Sequence, residues 1–404
     1  MTMARPPSPP SRQPQWLRQA GVSLIELMVG LTIGLLAVLV ITQVVRLYES
    51  QKRNTTGGAD AQINGAVALH SLQRDLQMSG WGLTNTNSAG CRMRYKLLAE
   101  PTAELVLASV VIEDGASGAP DILTLMRGNG KGFAVPLKIK GHFRNAAAFD
   151  LDGATNVDIQ LGDLLLAVPK TYTEGSNWCA LFNVSAAPDP ANLLVVPHAT
   201  GSTGAWNHDG ATNPDAGSGL AIYPGATAGA VAFEAGSYIV DLGQLVMTRY
   251  RLAGKGLQTM QRRFGAASTT TQWPSDTSWT DLQPQIVDLQ AVYGKDTTTP
   301  PDNVADVWDA TAPTTAQGWA RIVALRVVVV ARSTHYEKEV VTVARPSTAN
   351  CALGPTATGN YPVWSPAGDG TWACLGVDRL TDWQHFHYKT FETVVPLRNM
   401  LWQS

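Results

Sequence analysis

The sequence is poor in charge and has almost no charge imbalance: Asp, Glu, Lys and Arg make up 15% of 404 residues, with 30 basic side chains against 32 acidic ones. Without a like-charge run there is no basic field for a phosphate backbone and no polyacidic tail, so nucleic acid is not expected as a partner. Cysteine is scarce, and Cys91, Cys179, Cys351 and Cys374 form no C-x-x-C pair, which removes zinc ribbons and thioredoxin-like redox sites. Also missing are G-x-S-x-G, H-E-x-x-H, G-x-x-x-x-G-K-[ST] and a G-x-G-x-x-G after a strand. The glycine-rich "RGNGKGF" (127–133) lacks the Ser or Thr and the spacing of a phosphate loop. On these grounds neither an enzyme nor a cofactor is expected.

What is present is 45% apolar residues, 37 glycines and 24 prolines, enough for a large core and the composition of short strands joined by many turns. One large domain and two fused lobes both fit this length. The four cysteines allow three pairings, which sequence alone does not distinguish. Cys91–Cys179 with Cys351–Cys374, in an oxidising compartment, is the favoured reading, and four buried free thiols is the other.

There is one long apolar run. From Val22 to Val45, 24 residues carry a single charge, Glu26. As a helix they reach about 36 Å, enough to span a bilayer with some tilt. Residues 1–21 ahead of it hold Arg5, Arg12 and Arg18 and no acid, a lead-in expected to stay in the cytoplasm. Behind it comes "RLYESQKRN" rather than a small-x-small cleavage site, and Ala66-Val67-Ala68 lies too far on to serve as one. The segment is therefore expected to be retained. An ionised carboxylate in hydrocarbon costs about 2.5–3.5 kcal/mol even on lenient insertion scales, so Glu26 needs a partner.

The stretch "AGVSLIELMVGL" (20–31) resembles the class III leader junction of type IV prepilins and secretion pseudopilins. The resemblance implies cleavage after Gly21 by prepilin peptidase and methylation of the new amino terminus on Val22, where the family most often has Phe or Met. It also implies that Glu26 neutralises the amino terminus of a neighbouring subunit as helices pack into a filament. Loss of the leader removes three arginines and no acid, leaving a mildly acidic mature chain.

From Val44 to Gly80 there is no proline, and Leu69, Leu72 and Leu76 recur at helical spacing, which predicts continuation of the same helix as an amphipathic one. Gly57, Gly58 and Gly65 are expected to soften it, and His70, Arg74 and Asp75 to lie on its solvated surface. Beyond Gly80, "AELVLASVVI", "DILTLMRG", "FAVPLKI", "GDLLLAVP", "GSYIVDLGQLVMTRYRL", "QIVDLQAVYG", "RIVALRVVVVARS", "EKEVVTV" and "FETVVPLRN" read as strands. "DGATNVDIQLGD" and "ASTTTQWPSDTSWTD" read as exposed loops.

The segments "LHSLQRDLQMSGWG", "GDLLLAV" with "CALFNV", "IVDLQAVYGKD", "WARIVALRVVVVARS" and "FETVVPLRN" are similar, in that order, to segments of the minor pilin family PilW. The fold this implies is α+β and type IV pilin-like: a long N-terminal helix, transmembrane in its first half, packed on a large antiparallel β-rich head. The expected plan is a cytoplasmic leader at 1–21, a helix over 22–80 with its transmembrane part at 22–45, and a periplasmic head over 81–404. The Ala/Gly/Thr-rich residues 185–235 are left as an inserted lobe or a long irregular excursion. The resemblance further implies a subunit that primes pilus assembly in the inner membrane with other minor pilins and the major pilin, ending at the extracellular tip beneath a PilY-type adhesin. A minor pseudopilin of a type II secretion system, a tip adhesin and a signal-anchored periplasmic enzyme are the alternatives.

The head offers two weak metal patterns. His385 and His387 in "WQHFHYKTF" would share one side of a strand, and are read instead as surface histidines on an edge strand. Asp296, Asp302, Asp306 and Asp309 could gather round calcium, but Pro300-Pro301 interrupts a spacing that is not that of an EF-hand, and a solvated loop is expected. The 12 tryptophans are scattered and are expected to be core or interface anchors rather than a sugar platform.

Overall fold

The computed structural model describes residues 21, 23–83, 88–97, 100, 102–129, 136–153, 159–187, 189, 194–200, 204–207, 221–225, 229–254, 256–265, 268–270, 272–273 and 278–401. The chain divides into two units, Met1–Thr56 and Gly57–Ser404, and one helix, α1 (Leu24–Met78), runs from the first into the second.

In the first unit α1 begins where the Leu27 N–H donates to the Ser23 carbonyl, 3.1 Å away, which makes Ser23 the N-cap residue. Its stretch Leu24–Glu49 is long and apolar enough to cross a membrane, and none of it is buried within the chain.

In the second unit α1 turns a stripe inward: Ala61, Gly65, Ala68, Leu72 and Leu76 are buried, repeating every three or four residues as one helix face must. Leu69 packs beside them. Gly65 is needed for close approach, since a Cβ there would overlap the Phe391 ring. At Gly57, by contrast, a Cβ would stand at ordinary contact distance, 3.4 and 3.6 Å, from the Ser333 and His335 side chains. Gly65 lets the helix sit close to its sheet, a role that helix propensity does not reveal. Asp75 differs from the expectation of solvated surface, because it is half-buried and accepts a hydrogen bond from the Tyr250 hydroxyl. Gly65→Ala is expected to destabilise the protein by about 1–2 kcal/mol: overpacking costs about 1–3 kcal/mol and exceeds the helix-propensity gain of up to about 1 kcal/mol. Chemical denaturation should find most of that loss absent when Gly65→Ala is made in a Phe391→Ala background.

The strands, numbered in chain order, form three main sheets. The first runs β2 (Ala103–Val106), β1 (Arg92–Tyr95), β8 (Cys179–Asn183), β7 (Leu164–Val168), β11 (Tyr238–Gly243), β5 (Leu137–Phe143), β6 (Ala148–Leu151) and β9 (Val195–Pro197), with β10 (Val231–Phe233) paired to the end of β5. Its pairs are antiparallel except β1 with β8. The second runs β14 (Thr280–Pro284), β13 (Gly256–Phe264), β12 (Leu245–Ala253), β4 (Ile122–Arg127) and β3 (Val110–Glu113). The third runs β16 (Val307–Asp309), β15 (Ile286–Lys295), β17 (Ile322–Arg332) and β20 (Tyr388–Pro396). A short pair, β18 (Val363–Trp364) with β19 (Ala373–Cys374), stands apart.

β17 and β7 are among the strands that supply cores on both faces, which is why their sequences are apolar in runs rather than alternating. In β17, Val327 and Val329 enter the core under α1 while Val328 and Val330 enter another. In β7, Leu164, Leu166 and Val168 face one core, and Leu165 and Ala167 face a third. "GSYIVDLGQLVMTRYRL" is not one strand: it breaks at Gly243, whose φ is 58°, into β11 of the first sheet and β12 of the second. "AELVLASVVI" splits in the same way into β2 and β3. "EKEVVTV" forms no strand, and its turns dock on the segment before β20 through Val341 and Thr342 N–H bonds to the Gln384 carbonyl.

Cys91 is bonded to Cys179, joining the entries of β1 and β8, and Cys351 is bonded to Cys374, joining the short helix α3 (Thr348–Ala352, after α2 at Ala316–Ala320) to β19. Arg379 fastens that disulfide-bearing segment to the sheets. It donates to the Gly118 and Val287 carbonyls at 2.7 and 2.9 Å and to Asp288 at 3.0 Å. Asp288, fully buried, also accepts from the Gly376 N–H at 3.0 Å. Nearby, buried Asp121 accepts from the Gly115 and Ala291 N–H groups at 2.9 and 2.7 Å. Burial outweighs these bonds and pushes its carboxyl up to about 7.

Candidate assembly site

Among the sites expected from sequence, the N-terminal one gathers the most features. Gly21 is exposed just before the helix, and Val22 lies outside the described residues, as do residues 1–20 of the expected leader at 1–21. Glu26 is exposed in the first turn of α1. With Ser23 at the N-cap it stands at the third helical position, the spacing of a capping box, where a negative charge also suits the helix dipole. Gly30 and Gly34 follow at intervals of four residues on the same face, and nothing lies within 4 Å of where a Cβ would stand on either. The carboxylate is thus followed along its stripe by two positions without side chains. That surface admits the close approach of another helix.

The head's candidate sites resolve differently. His385 lies in a single 3-10 turn, Trp383–His385, rather than in a strand. Its Nδ1 is 2.8 Å from the Glu337 carbonyl, and its ring stacks on Tyr336 at 4.7 Å. His387 donates its N–H to the Ser333 Oγ at 3.1 Å. The two histidines precede the edge strand β20 and serve to fold the segment 333–343 back against it.

The acids of 296–309 lie in a largely exposed loop, with Asp302 and Asp306 open to solvent as expected, but the carboxylates also order it through hydrogen bonds. Asp296, itself buried, accepts from Thr298 and Asn303 N–H groups at 3.0 and 2.8 Å. Asp306 accepts from the Thr297 N–H at 2.7 Å, and Asp309 from Lys295 Nζ at 2.6 Å. Asp302 accepts from the Val304 N–H at 3.0 Å. Among the described residues no three His, Cys, Asp or Glu side chains are placed to hold a metal ion.

Tryptophans serve as anchors. Trp206, Trp319 and Trp364 are buried, while Trp178, Trp273, Trp279 and Trp308 each lie under an arginine: Arg94, Arg262, Arg251 and Arg326, at 3.4–5.0 Å from the ring centroid. One group escaped the sequence reading altogether, the buried pair His142 and His198 with Tyr223. Their separation in sequence hides a contact that only the β5–β6–β9 pairing creates.

Residues 252–399, which span β13 to β20, match the family Type IV Pilus-assembly protein W, and residues 16–42 match the prokaryotic N-terminal methylation motif. No curated protein matches the chain. Among solved structures, a type IV-like pilin from Thermus thermophilus is similar at 9% identity with a TM-score of 0.29, covering 84% of this chain and 97% of that one. The chain thus carries a prokaryotic N-terminal methylation motif at its front and, over residues 252–399, a region similar to type IV pilus-assembly protein W.

Proposed function

We propose that this chain is a minor pilin that primes type IV pilus assembly and stays at the pilus tip with other minor pilins. The carrying observation is the stripe Glu26, Gly30, Gly34 on an apolar helix that buries none of its surface within its own chain. A helix of that kind needs lipid or other helices around it, and a lone carboxylate on it needs a cation. Prepilin peptidase supplies the cation by cutting between Gly21 and Val22, which leaves an amine on Val22 that is then methylated. Glu26 pairs with the amine of an adjacent subunit, and the two glycines let the helices close on each other.

In this reading residues 1–21 are a cytoplasmic leader, Val22–Val45 crosses the inner membrane, and the head waits in the periplasm until the fibre carries it outside. The major pilin extends the fibre below the priming complex, and a PilY-type adhesin sits above it.

Deleting the gene should reduce surface pili at least tenfold while leaving major pilin in the membrane. Gold-labelled antibody against the head should mark fibre ends. Normal pilus number in the deletion strain, or label spread along the shaft, would refute the priming and tip role.

A further inference from the structure

The outer part of the first sheet contains a polar cluster that assembly does not use. His142 on β5 and His198 just after β9 are each 2% exposed, and Tyr223 is fully buried. The two Nε2 atoms lie 2.8 Å apart, and the Tyr223 hydroxyl is 3.0 Å from His198 Nδ1. Aromatic rings enclose them: Phe149 stacks on His142 at 4.0 Å and lies 4.7 Å from His198, with Phe233 and Phe182 completing the box.

The donors and acceptors admit little freedom. One histidine must donate and the other accept across 2.8 Å. If Tyr223 donates to His198 Nδ1, then His198 donates to His142 Nε2, and the remaining His142 Nδ1 has no partner among the described residues. Every available lone pair in that arrangement already accepts a hydrogen bond. In that arrangement an added proton breaks the His–His contact or displaces the tyrosine donor; in the reverse one, with His142 Nε2 donating to His198, it lands on the unpartnered His142 Nδ1, and in both it leaves a charge among aromatic rings.

Among the described residues no acid faces the rings to stabilise that charge. On the packing elements, Lys138, Lys140, Asp150 and Glu234 are exposed, and Arg144 donates to the Gly225 carbonyl at 2.6 Å. Burial, and then the neighbouring ring of His198, hold His142 down to about 2; burial holds His198 at about 3.

We infer that His142, His198 and Tyr223 form an acid-sensitive latch that keeps β5, β6, β9 and β10 closed at neutral pH and releases them in mild acid. The inference is independent of the pilus reading. The sign follows from linkage: folded-state values lie below the ordinary histidine value, so the open state binds more protons and closure weakens as pH falls below about 6.5. Between pH 7 and pH 5 each histidine raises the opening equilibrium about 25-fold, and the two together about 600-fold. The core beside Asp121 should respond oppositely, because a carboxyl held near 7 gains its proton in the folded state over the same range.

Hydrogen exchange of the full chain in detergent micelles, corrected for intrinsic rates, tests this. Opening of β5, β6, β9 and β10 should rise several hundredfold from pH 7 to pH 5, while β15 and β17 do not open. In His142→Phe, whose new ring can occupy the box, the rise should shrink to about 25-fold. An equal rise in wild type and variant, or no rise in wild type, would overturn the latch. NMR of labelled histidines in the unmodified protein gives a second test: both rings should stay neutral as long as the lobe is closed. A ring that protonates at pH 6 with the lobe still closed would overturn it too.

Discussion

Glu26→Gln should leave the protein made, inserted and trimmed, yet exclude it from pili. The substitution separates two roles that the carboxylate could fill. As a capping residue three positions after Ser23, glutamine serves almost as well as glutamate, so loss of the cap does not explain a defect. What glutamine lacks is charge. If the neighbouring amino terminus is buried between helices, removing its counter-ion leaves an unpaired charge in an apolar setting, a change that costs about 3–5 kcal/mol. That is a loss of more than 100-fold in the assembly equilibrium. Quantitative blots of sheared pili against membranes, normalised to processed protein, measure the ratio. An unchanged ratio in Glu26→Gln would assign the residue to capping and remove the pairing mechanism.

The second large effect is expected in the head. Arg379→Met should lower the unfolding free energy by about 3 kcal/mol, because it strips the fully buried Asp288 of its cation and leaves the Gly118 and Val287 carbonyls without a donor. Asp288 keeps N–H donors from Leu289 and Gly376, which holds the loss near the low end of that range. Adding Asp288→Asn removes the stranded charge and should recover about half of the loss in denaturant titrations. If the single variant is as stable as the parent, Arg379 does not fasten the disulfide-bearing segment as described.

The N-terminal features were legible because they are local: a charge in an apolar run, a glycine before it, and arginines ahead. The same holds for β7 and β17, whose runs "LLLAV" and "VVVV" are apolar at every position because each strand feeds two cores. β13, "GLQTMQRRF", stayed hidden because only Leu257, Met260 and Phe264 are buried apolar anchors there. Its Arg262 is buried against Trp273, while Arg263 is exposed. "EKEVVTV" misled for the opposite reason, since its valines look like a strand but Val340 and Val343 are exposed.

Residues 185–235 were unreadable because their described parts never form an element alone. They supply β9, β10, Trp206 and Tyr223 to a sheet and cores built elsewhere. His142 and His198 read as unremarkable singly, and nothing in their spacing brings them together.

The central claim is that the chain is processed and assembled as a pilin, and its most direct test is the intact mass and N-terminal sequence of the protein extracted from membranes with and without prepilin peptidase. The account expects a chain that begins at Val22, carrying one methyl group, only when the peptidase is present. A chain that begins at Met1 in both strains would contradict it.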